Sequence, residues 1–203
     1  MVDEFVQWGL TVVKKVGFIV EGGTEKILLE SEAFSSWLRT MNLQLIEPVV
    51  DAKGAGNLLP NNIGDMILTL KKGDADYIFI LTDLEKAPSI QDVKDRLAHA
   101  EVEDCFVTVL AIESWFLAST EPLRSWLPCE KAYIDEPESK ALDKPFERIK
   151  TLKLVKSDGT RGCSNKKILA RQMLLHGFSF EQVLAHPNCS SMKYMEKVLK
   201  NLP

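Results

Sequence analysis

Carboxylates follow three apolar runs of the chain, and each run has the Val- and Ile-rich composition of a buried β-strand. The acidic residues are Glu21, Asp83, Glu85 and Glu113. In an open sheet of parallel strands, binding sites form just outside the carboxyl ends of the strands. Carboxylate oxygens are the ligands that Mg²⁺ and Mn²⁺ prefer. The sequence therefore predicts a metal or phosphate site at one edge of a sheet, on condition that these strands are neighbours.

Two of these carboxylates are separated by one residue. Asp83 and Glu85 end the apolar run that begins at Tyr77. On a strand, side chains at i and i+2 lie on the same face, so this pair is expected to hold a divalent cation. A single acidic residue after a strand is commonly only solvated, because loops are polar. Three such positions on one sheet favour a functional site.

A pair of glycines follows the first carboxylate. Gly22 and Gly23 allow a tight turn and leave room for a ligand to approach the backbone. A helix that begins near Thr24 directs its amide-rich end toward the same place. A second glycine-bearing loop, residues 51–57, could also cradle a phosphate, although a plain turn is the favoured interpretation.

The elements that position these residues alternate along the chain. Apolar strands are expected at about residues 16–20, 43–50, 77–83 and 105–111, with helical periodicity between them. One of the intervening helices is expected to run from about residue 24 through residue 38. This alternation predicts an α/β fold, in which helices flank a parallel four-stranded sheet.

The composition changes after Leu127, where polar connections and short helical patterns replace strands. We therefore expect an α/β domain over residues 1–128. Residues 129–203 are expected to form a helical C-terminal extension packed on it.

Basic residues are concentrated in one segment, although the net charge of the chain is −4. Residues 150–171 contain seven basic residues and one acidic residue. Such a segment is either a solvated face or a contact for a phosphate backbone placed near the acidic site. Lys86 could likewise bind a phosphate or pair with a carboxylate. The candidate phosphate-binding side chains are Lys86, Arg161, Lys166, Lys167 and Arg171.

The composition excludes several classes of protein. With 203 residues, 45% hydrophobic and 27% charged, the chain is an ordinary globular sequence. Its apolar runs are much shorter than the roughly 20 residues of a membrane helix. Its first residues lack the pattern of a signal peptide, so we expect a cytoplasmic protein. The four cysteines form no CxxC pair, which favours reduced structural thiols over a zinc site.

The acidic motifs resemble a known domain. Val20-Glu21-Gly22 followed by Thr24-Glu25, with Asp83-Leu84-Glu85 ending a later strand, resembles the Toprim domain of topoisomerases, bacterial primases, small maturation nucleases and overcoming-lysogenisation-defect nucleases. A closer similarity is to a family of stand-alone Toprim-like bacterial proteins of unknown function. That similarity extends to Glu113-Ser114-Trp115 and to residues 185–191.

The resemblance implies a Toprim-like, Rossmann-like sheet and a role for each carboxylate. Glu21 would act as general acid or base, Asp83 and Glu85 would bind magnesium, and Glu113 would complete the metal site. Glu85 stands where the Toprim pattern has aspartate. Its longer side chain still offers an oxygen ligand but displaces the ion by about a bond length, which would affect cleavage more than binding.

A Mg²⁺- or Mn²⁺-dependent nuclease that hydrolyses phosphodiester bonds in DNA or RNA is the leading functional hypothesis. Hydrolysis is preferred to strand passage because no tyrosine is obviously placed for a covalent intermediate, and no priming module is recognisable. The alternative is a non-catalytic or weakly active nucleic-acid-binding subunit. Such a subunit would work with a separate ATPase, as the resemblance to the lysogenisation-defect group implies. The chain has no Walker motif, so any nucleotide-driven step would need a partner. A flavodoxin-like small-molecule or receiver domain agrees less well with the glycine turn and the carboxylate pair.

Overall fold

The computed structural model describes residues 12–126, 133–139, 144–156 and 165–203, with residues 152–156 described by their backbone alone. The strands are β1 Lys14–Val20, β2 Leu43–Leu45, β3 Val50–Asp51, β4 Tyr77–Asp83 and β5 Asp104–Thr108. The first helices are α1 Gly23–Leu29, α2 Glu32–Arg39, α3 Gly64–Lys72, α4 Ile90–Leu97 and α5 Glu113–Ala118. The later helices are α6 Thr120–Trp126, α7 Pro145–Lys156, α8 Lys166–Leu175, α9 Phe180–Ala185 and α10 Ser190–Lys200. Among the residues described, no helix combines the length and the apolar character that crossing a membrane requires.

The strands form one parallel sheet in the order β2-β1-β4-β5, and β3 also pairs with β1 beyond the end of β2. In this register Val20 lies beside Leu81, and Asp83 lies beside Thr108. The predicted fold class, a parallel sheet flanked by helices, is confirmed. The strands that precede the acidic motifs, β1, β4 and β5, are neighbours. Their carboxyl ends therefore lie at one edge of the sheet.

Two predicted elements are each divided in the structure. The expected strand over residues 43–50 consists of the short strands β2 and β3. Pro48 lies between them and has no N–H to donate to a strand ladder. The expected helix over residues 24–38 is two helices, because Ser31 caps α2 by accepting a hydrogen bond from the Phe34 N–H at 3.3 Å.

The predicted strand over residues 105–111 ends early, at Thr108. Leu110 then adopts a left-handed backbone conformation with φ 68°. That conformation turns the chain out of the sheet before α5 begins at Glu113. The carboxylate predicted to follow a strand directly therefore lies on the first residue of a helix.

Both faces of the sheet are buried, as is usual for parallel strands that have helices on each side. One face presents aromatic residues, and Phe18 packs at 5.5 Å from Phe79 between their ring centroids. The other face presents smaller side chains such as Ile19 and Ile80, with α3 and α4 over them. The alternation of the two sets along each strand follows from the two-residue period of a strand.

The C-terminal helices pack on the aromatic face of the sheet. Phe180 of α9 stacks on Trp37 of α2, with ring centroids 5.4 Å apart. The indole N–H of Trp115 in α5 donates a hydrogen bond of 2.8 Å to the Ser191 hydroxyl of α10. The boundary expected between residues 128 and 129 falls outside the described residues, so the division into a domain and an extension stays a prediction.

Residues 185–191, one of the segments in the family resemblance, hold residues 133–139 against the C-terminal helices. The Glu138 carboxylate accepts hydrogen bonds from the backbone N–H groups of Ser190, at 2.6 Å, and Ser191, at 3.2 Å. The His186 ring nitrogen Nε2 lies 2.9 Å from the Ile134 carbonyl oxygen. These contacts give this segment a structural function.

Candidate metal and nucleic-acid site

Five carboxylates line one cavity at the carboxyl edge of the sheet, which we call the carboxylate cavity. Its volume is about 350 Å³. The cavity also contains three lysines and the glycine turn, so that it presents both oxygen ligands and cations. The carboxylates are Glu21, Glu25, Asp51, Asp83 and Glu85, and the lysines are Lys53, Lys166 and Lys167.

Glu21 is held in place by the neighbouring strand. The Thr82 hydroxyl of β4 donates a hydrogen bond of 2.5 Å to Glu21 Oε2, and the Asp83 N–H lies 3.4 Å from the same oxygen. The backbone of Glu21 is fixed as well, because the Gly54 N–H donates to its carbonyl oxygen at 2.8 Å. One carboxylate oxygen of Glu21 is thus anchored across β1 and β4.

Asp83 is almost fully buried at the end of β4. Its Oδ1 atom accepts hydrogen bonds from the Thr108 hydroxyl at 2.6 Å and from the Ile112 N–H at 2.8 Å. Burial raises the pKa of this carboxyl well above its usual value, and the charge of Glu25 raises it further, whereas the Thr108 hydrogen bond opposes the shift.

Glu85 does not share a strand face with Asp83, contrary to the expectation from their spacing. The strand β4 ends at Asp83, and Glu85 is an exposed turn residue with φ 46°. Its N–H donates to the Leu110 carbonyl oxygen at 3.1 Å, which bends the chain after the strand. Both carboxylates nevertheless line the carboxylate cavity, because the turn returns Glu85 to the same edge.

Glu113 is completely buried on the first turn of α5, and neither of its carboxylate oxygens has a hydrogen-bond partner among the described residues. Lys166 Nζ lies 3.1 Å from Glu113 Oε2 and forms an ion pair with it. Burial raises the pKa of this carboxyl, and the charge of Lys166 opposes the rise. The ion pair offsets part of the cost of burying this carboxylate, but a buried oxygen that accepts no hydrogen bond is still unfavourable. Glu113 is therefore a candidate ligand for a cation.

Two lysines of α8 reach the site because α8 packs against α1. Burial works against the charge of Lys166, but the nearby Glu113 and Asp83 carboxylates raise the pKa of its ammonium overall. Lys167 lies over the glycine turn, where a side chain at Gly23 would collide with its Cε and Nζ atoms. A glycine at this position thus lets a cation approach the Glu21-Gly22-Gly23 backbone.

Three charged residues of the carboxylate cavity were not predicted as site residues: Asp51 and Lys53, on the loop interpreted as a plain turn, and Glu25. Glu25 lies on the first turn of α1, is almost fully buried and lines the carboxylate cavity. Burial raises its pKa to about 7, and the charges of Glu113 and Glu21 act in the same direction. Its position four residues after Glu21, directly beyond the glycine turn, was the available signal.

The remaining candidates have different surroundings. Lys86 is exposed and lines a neighbouring, more apolar cavity. Arg171 is exposed on α8 and lines neither of the two cavities. Arg161 lies outside the described residues. Of the predicted basic segment, only Lys166 and Lys167 reach the carboxylate cavity among the side chains described.

The donor chemistry suits Mg²⁺ or Mn²⁺, because the carboxylate cavity offers oxygen ligands and Glu113 is buried beside it without a hydrogen bond. The geometry is not assembled, however. Within the described parts of the chain, no three His, Cys, Asp or Glu side chains are placed so that they could hold a metal ion together. Binding a cation would require these side chains to turn toward a common point.

No family model matches the sequence, and no curated protein matches it either. Among solved structures, the C-terminal region of the Burkholderia pseudomallei OLD protein is similar, with 17% sequence identity and a TM-score of 0.45. The similarity covers 92% of this chain and 98% of that chain. An identity and a TM-score this low assign no role to any residue of this chain.

Proposed function

We propose that this protein is a Mg²⁺- or Mn²⁺-dependent nuclease that hydrolyses phosphodiester bonds. The observation that supports this most strongly is the convergence of carboxylates and lysines at the carboxyl ends of β1, β3 and β4. A cluster of carboxylates would by itself repel a phosphodiester. The same cluster with a bound divalent cation attracts one.

The proposal assigns a role to the carboxylates and to the lysines. Glu25, Asp83, Glu85 and Glu113 would hold the cation, which supplies charge to neutralise the phosphate oxygens and to stabilise the leaving oxygen. Lys166 and Lys167 would bind phosphate oxygens as point charges.

Glu21 would transfer the proton as general acid or base. Thr82 donates a hydrogen bond to its Oε2 atom, which fixes the orientation of the carboxylate. The role agrees with the position of Glu21 in the carboxylate cavity, beside the glycine turn over which Lys167 lies.

The test is a cleavage assay with single- and double-stranded DNA and RNA in Mg²⁺ or Mn²⁺. We expect Glu21→Gln and Asp83→Asn each to reduce the cleavage rate by about 100-fold or more, as is typical for loss of acid–base catalysis or of a metal ligand. Asp65→Asn, which removes an exposed carboxylate from the first turn of α3, is the matched control and should cleave normally.

A nucleic-acid-binding subunit that depends on a separate ATPase is the second candidate. Among the described residues the carboxylates are not gathered into a metal-binding arrangement, which favours binding without catalysis. Binding by fluorescence anisotropy separates the two functions. Glu21→Gln should retain nucleic-acid affinity in both cases, but only the nuclease loses cleavage. If the wild-type protein binds nucleic acid and cuts none of the substrates, the nuclease proposal is wrong.

A further inference from the structure

A second cavity lies beside the carboxylate cavity and differs from it in character. Its volume is about 590 Å³, within the range of roughly 300–1,000 Å³ that is usual for ligand pockets. We call it the apolar cavity after its four uncharged side chains, Leu110, Ala111, Pro145 and Phe146. Six charged residues complete its wall, and they balance in sign: the carboxylates of Glu85, Glu113 and Glu147, and the ammonium groups of Lys86, Lys144 and Lys166. Phe146 is only partly buried there, so that an aromatic ring is available to a ligand.

The two cavities are connected through shared walls. Glu85 and Lys166 line both of them, and Glu113, the ion-pair partner of Lys166, lines the apolar cavity. A ligand in the apolar cavity would therefore be next to the carboxylates and lysines of the proposed reaction centre. Two further lysines, Lys86 and Lys144, are exposed residues of the apolar cavity wall.

The backbone of this wall is unusual in two places. Leu110 and Glu85 both adopt positive φ angles, of 68° and 46°, and the Glu85 N–H donates to the Leu110 carbonyl oxygen. Residues other than glycine seldom adopt this conformation. Such residues are concentrated at ligand-binding sites, where the surrounding structure maintains them. The wall thus contains two strained turns that a backbone hydrogen bond connects.

Apolar and aromatic walls beside several lysines match the chemistry of a nucleotide. A nucleobase has an apolar face that stacks on aromatic rings, and its phosphates bind cations. A base inside a duplex is stacked between its neighbours and cannot enter a cavity unless it is unpaired. An unpaired nucleotide can place its base in the apolar cavity and its phosphate beside the lysines. It is therefore the ligand that this site fits.

We infer that the apolar cavity binds one unpaired nucleobase of a single-stranded nucleic acid, by stacking on Phe146, while the adjoining phosphate lies in the carboxylate cavity. The inference rests on the proposed function, because that function supplies nucleic acid as the ligand. It makes single strands, or unpaired nucleotides, the substrate class of the site.

The experiment measures binding by fluorescence anisotropy in the Glu21→Gln background with Mg²⁺, so that hydrolysis does not interfere. The probes are a labelled single-stranded DNA, a duplex of the same sequence and an oligomer of abasic nucleotides with the same number of phosphates. Phe146→Ala should weaken binding of the single strand by about 5- to 100-fold, the usual effect of losing one base–aromatic stack. The affinity for the duplex and for the abasic oligomer should change by less than about twofold.

Two further variants control the experiment. Phe146→Leu keeps an apolar side chain in the cavity wall but has no aromatic face, so it should weaken binding in the same direction even if Phe146→Ala proves unstable. Leu68→Ala removes an exposed apolar side chain of α3 that lines neither cavity, and it should bind all three probes normally.

The outcomes separate this inference from the proposed nuclease activity. The inference would be overturned if a Phe146 variant lost the same affinity for the single strand and for the abasic oligomer, or if neither variant lost affinity. Either result would count even if wild-type protein cleaves DNA. Base-dependent binding without any cleavage by wild-type protein would support the inference and overturn the nuclease proposal. Absence of binding to every probe, and to single- and double-stranded RNA of the same sequence, would overturn both.

Discussion

At the scale of single residues, the defining feature of this protein is that acidic groups are buried without enough positive charge to compensate them. Asp83, Glu25 and Glu113 all have raised pKa values, with burial as the main cause in each case. Lys166 forms an ion pair with Glu113 and also lies near the Asp83 and Glu25 carboxylates. The metal-free site is therefore expected to hold protons that a bound cation would displace.

The pKa of Glu25 gives a prediction about stability. The folded protein holds this proton up to about pH 7, whereas the unfolded chain releases it near pH 4.5. Raising the pH through this interval therefore destabilises the metal-free wild-type protein, by about 3 kcal/mol at most. Glu25→Gln removes the titration, so its free energy of unfolding should exceed that of wild type at pH 8 and approach it near pH 4.5.

Urea unfolding in a chelating buffer at several pH values measures this difference. Glu32→Gln, an exposed carboxylate on α2, is the control and should show no comparable gain at high pH. A stability difference between Glu25→Gln and wild type that did not vary with pH would contradict the prediction.

At the scale of elements, the site depends on the contact between α1 and α8. The glycine turn before α1 and the first residues of α8 lie so close that Lys167 occupies the space beside Gly23. Because Gly23 is the first residue of α1, alanine there suits the helix. The substitution should displace the flexible end of Lys167 and leave the fold intact.

We expect Gly23→Ala to weaken nucleic-acid binding several-fold, equivalent to about 0.5–1 kcal/mol for one exposed ionic contact. Lys167→Ala should have a similar effect, and the double variant should be no weaker than either single variant. Gly64→Ala is the matched control, because Gly64 is the first residue of α3 and has nothing within 4 Å of an added Cβ. Additive effects in the double variant would show that Gly23 does not act through Lys167.

At the scale of the whole molecule, the N-terminal and C-terminal parts share one hydrophobic core. Phe180 contacts Phe34 and Trp37 of α2 as well as Trp115 of α5, with ring centroids 5.0, 5.4 and 6.1 Å apart. Leu169, Ala170 and Met173 place α8, the helix that carries Lys166 and Lys167, in the same core. We expect the described parts of the chain to unfold together.

Phe180→Ala tests this expectation. Removing a buried phenylalanine should reduce the free energy of unfolding by about 3–5 kcal/mol. Tryptophan fluorescence and far-ultraviolet circular dichroism should report the same single transition. Leu175→Ala, on the exposed surface of α8, should leave stability nearly unchanged. Two separate transitions would instead support an independently folding C-terminal extension.

The amino-acid sequence by itself determined the types of most elements and the location of the acidic motifs along the chain. Apolar runs, the glycine pair and the helical periodicities are local signals, and the parallel α/β fold follows from their alternation. The same reasoning identified Glu21, Asp83 and Glu113 as residues at one edge of a sheet. It depended on the assumption that β1, β4 and β5 are neighbours, which the strand order confirms.

Only the tertiary structure decided which side chains share a cavity. Phe146 entered the apolar cavity because α7 packed there from a distant part of the chain, which no local pattern encodes. Glu85 departed from its predicted strand geometry because β4 ended two residues earlier and the chain bonded to Leu110. Hydrophobic patterns specify which face of an element is buried. The choice of neighbour depends on long-range pairing and packing, and that choice places the charges.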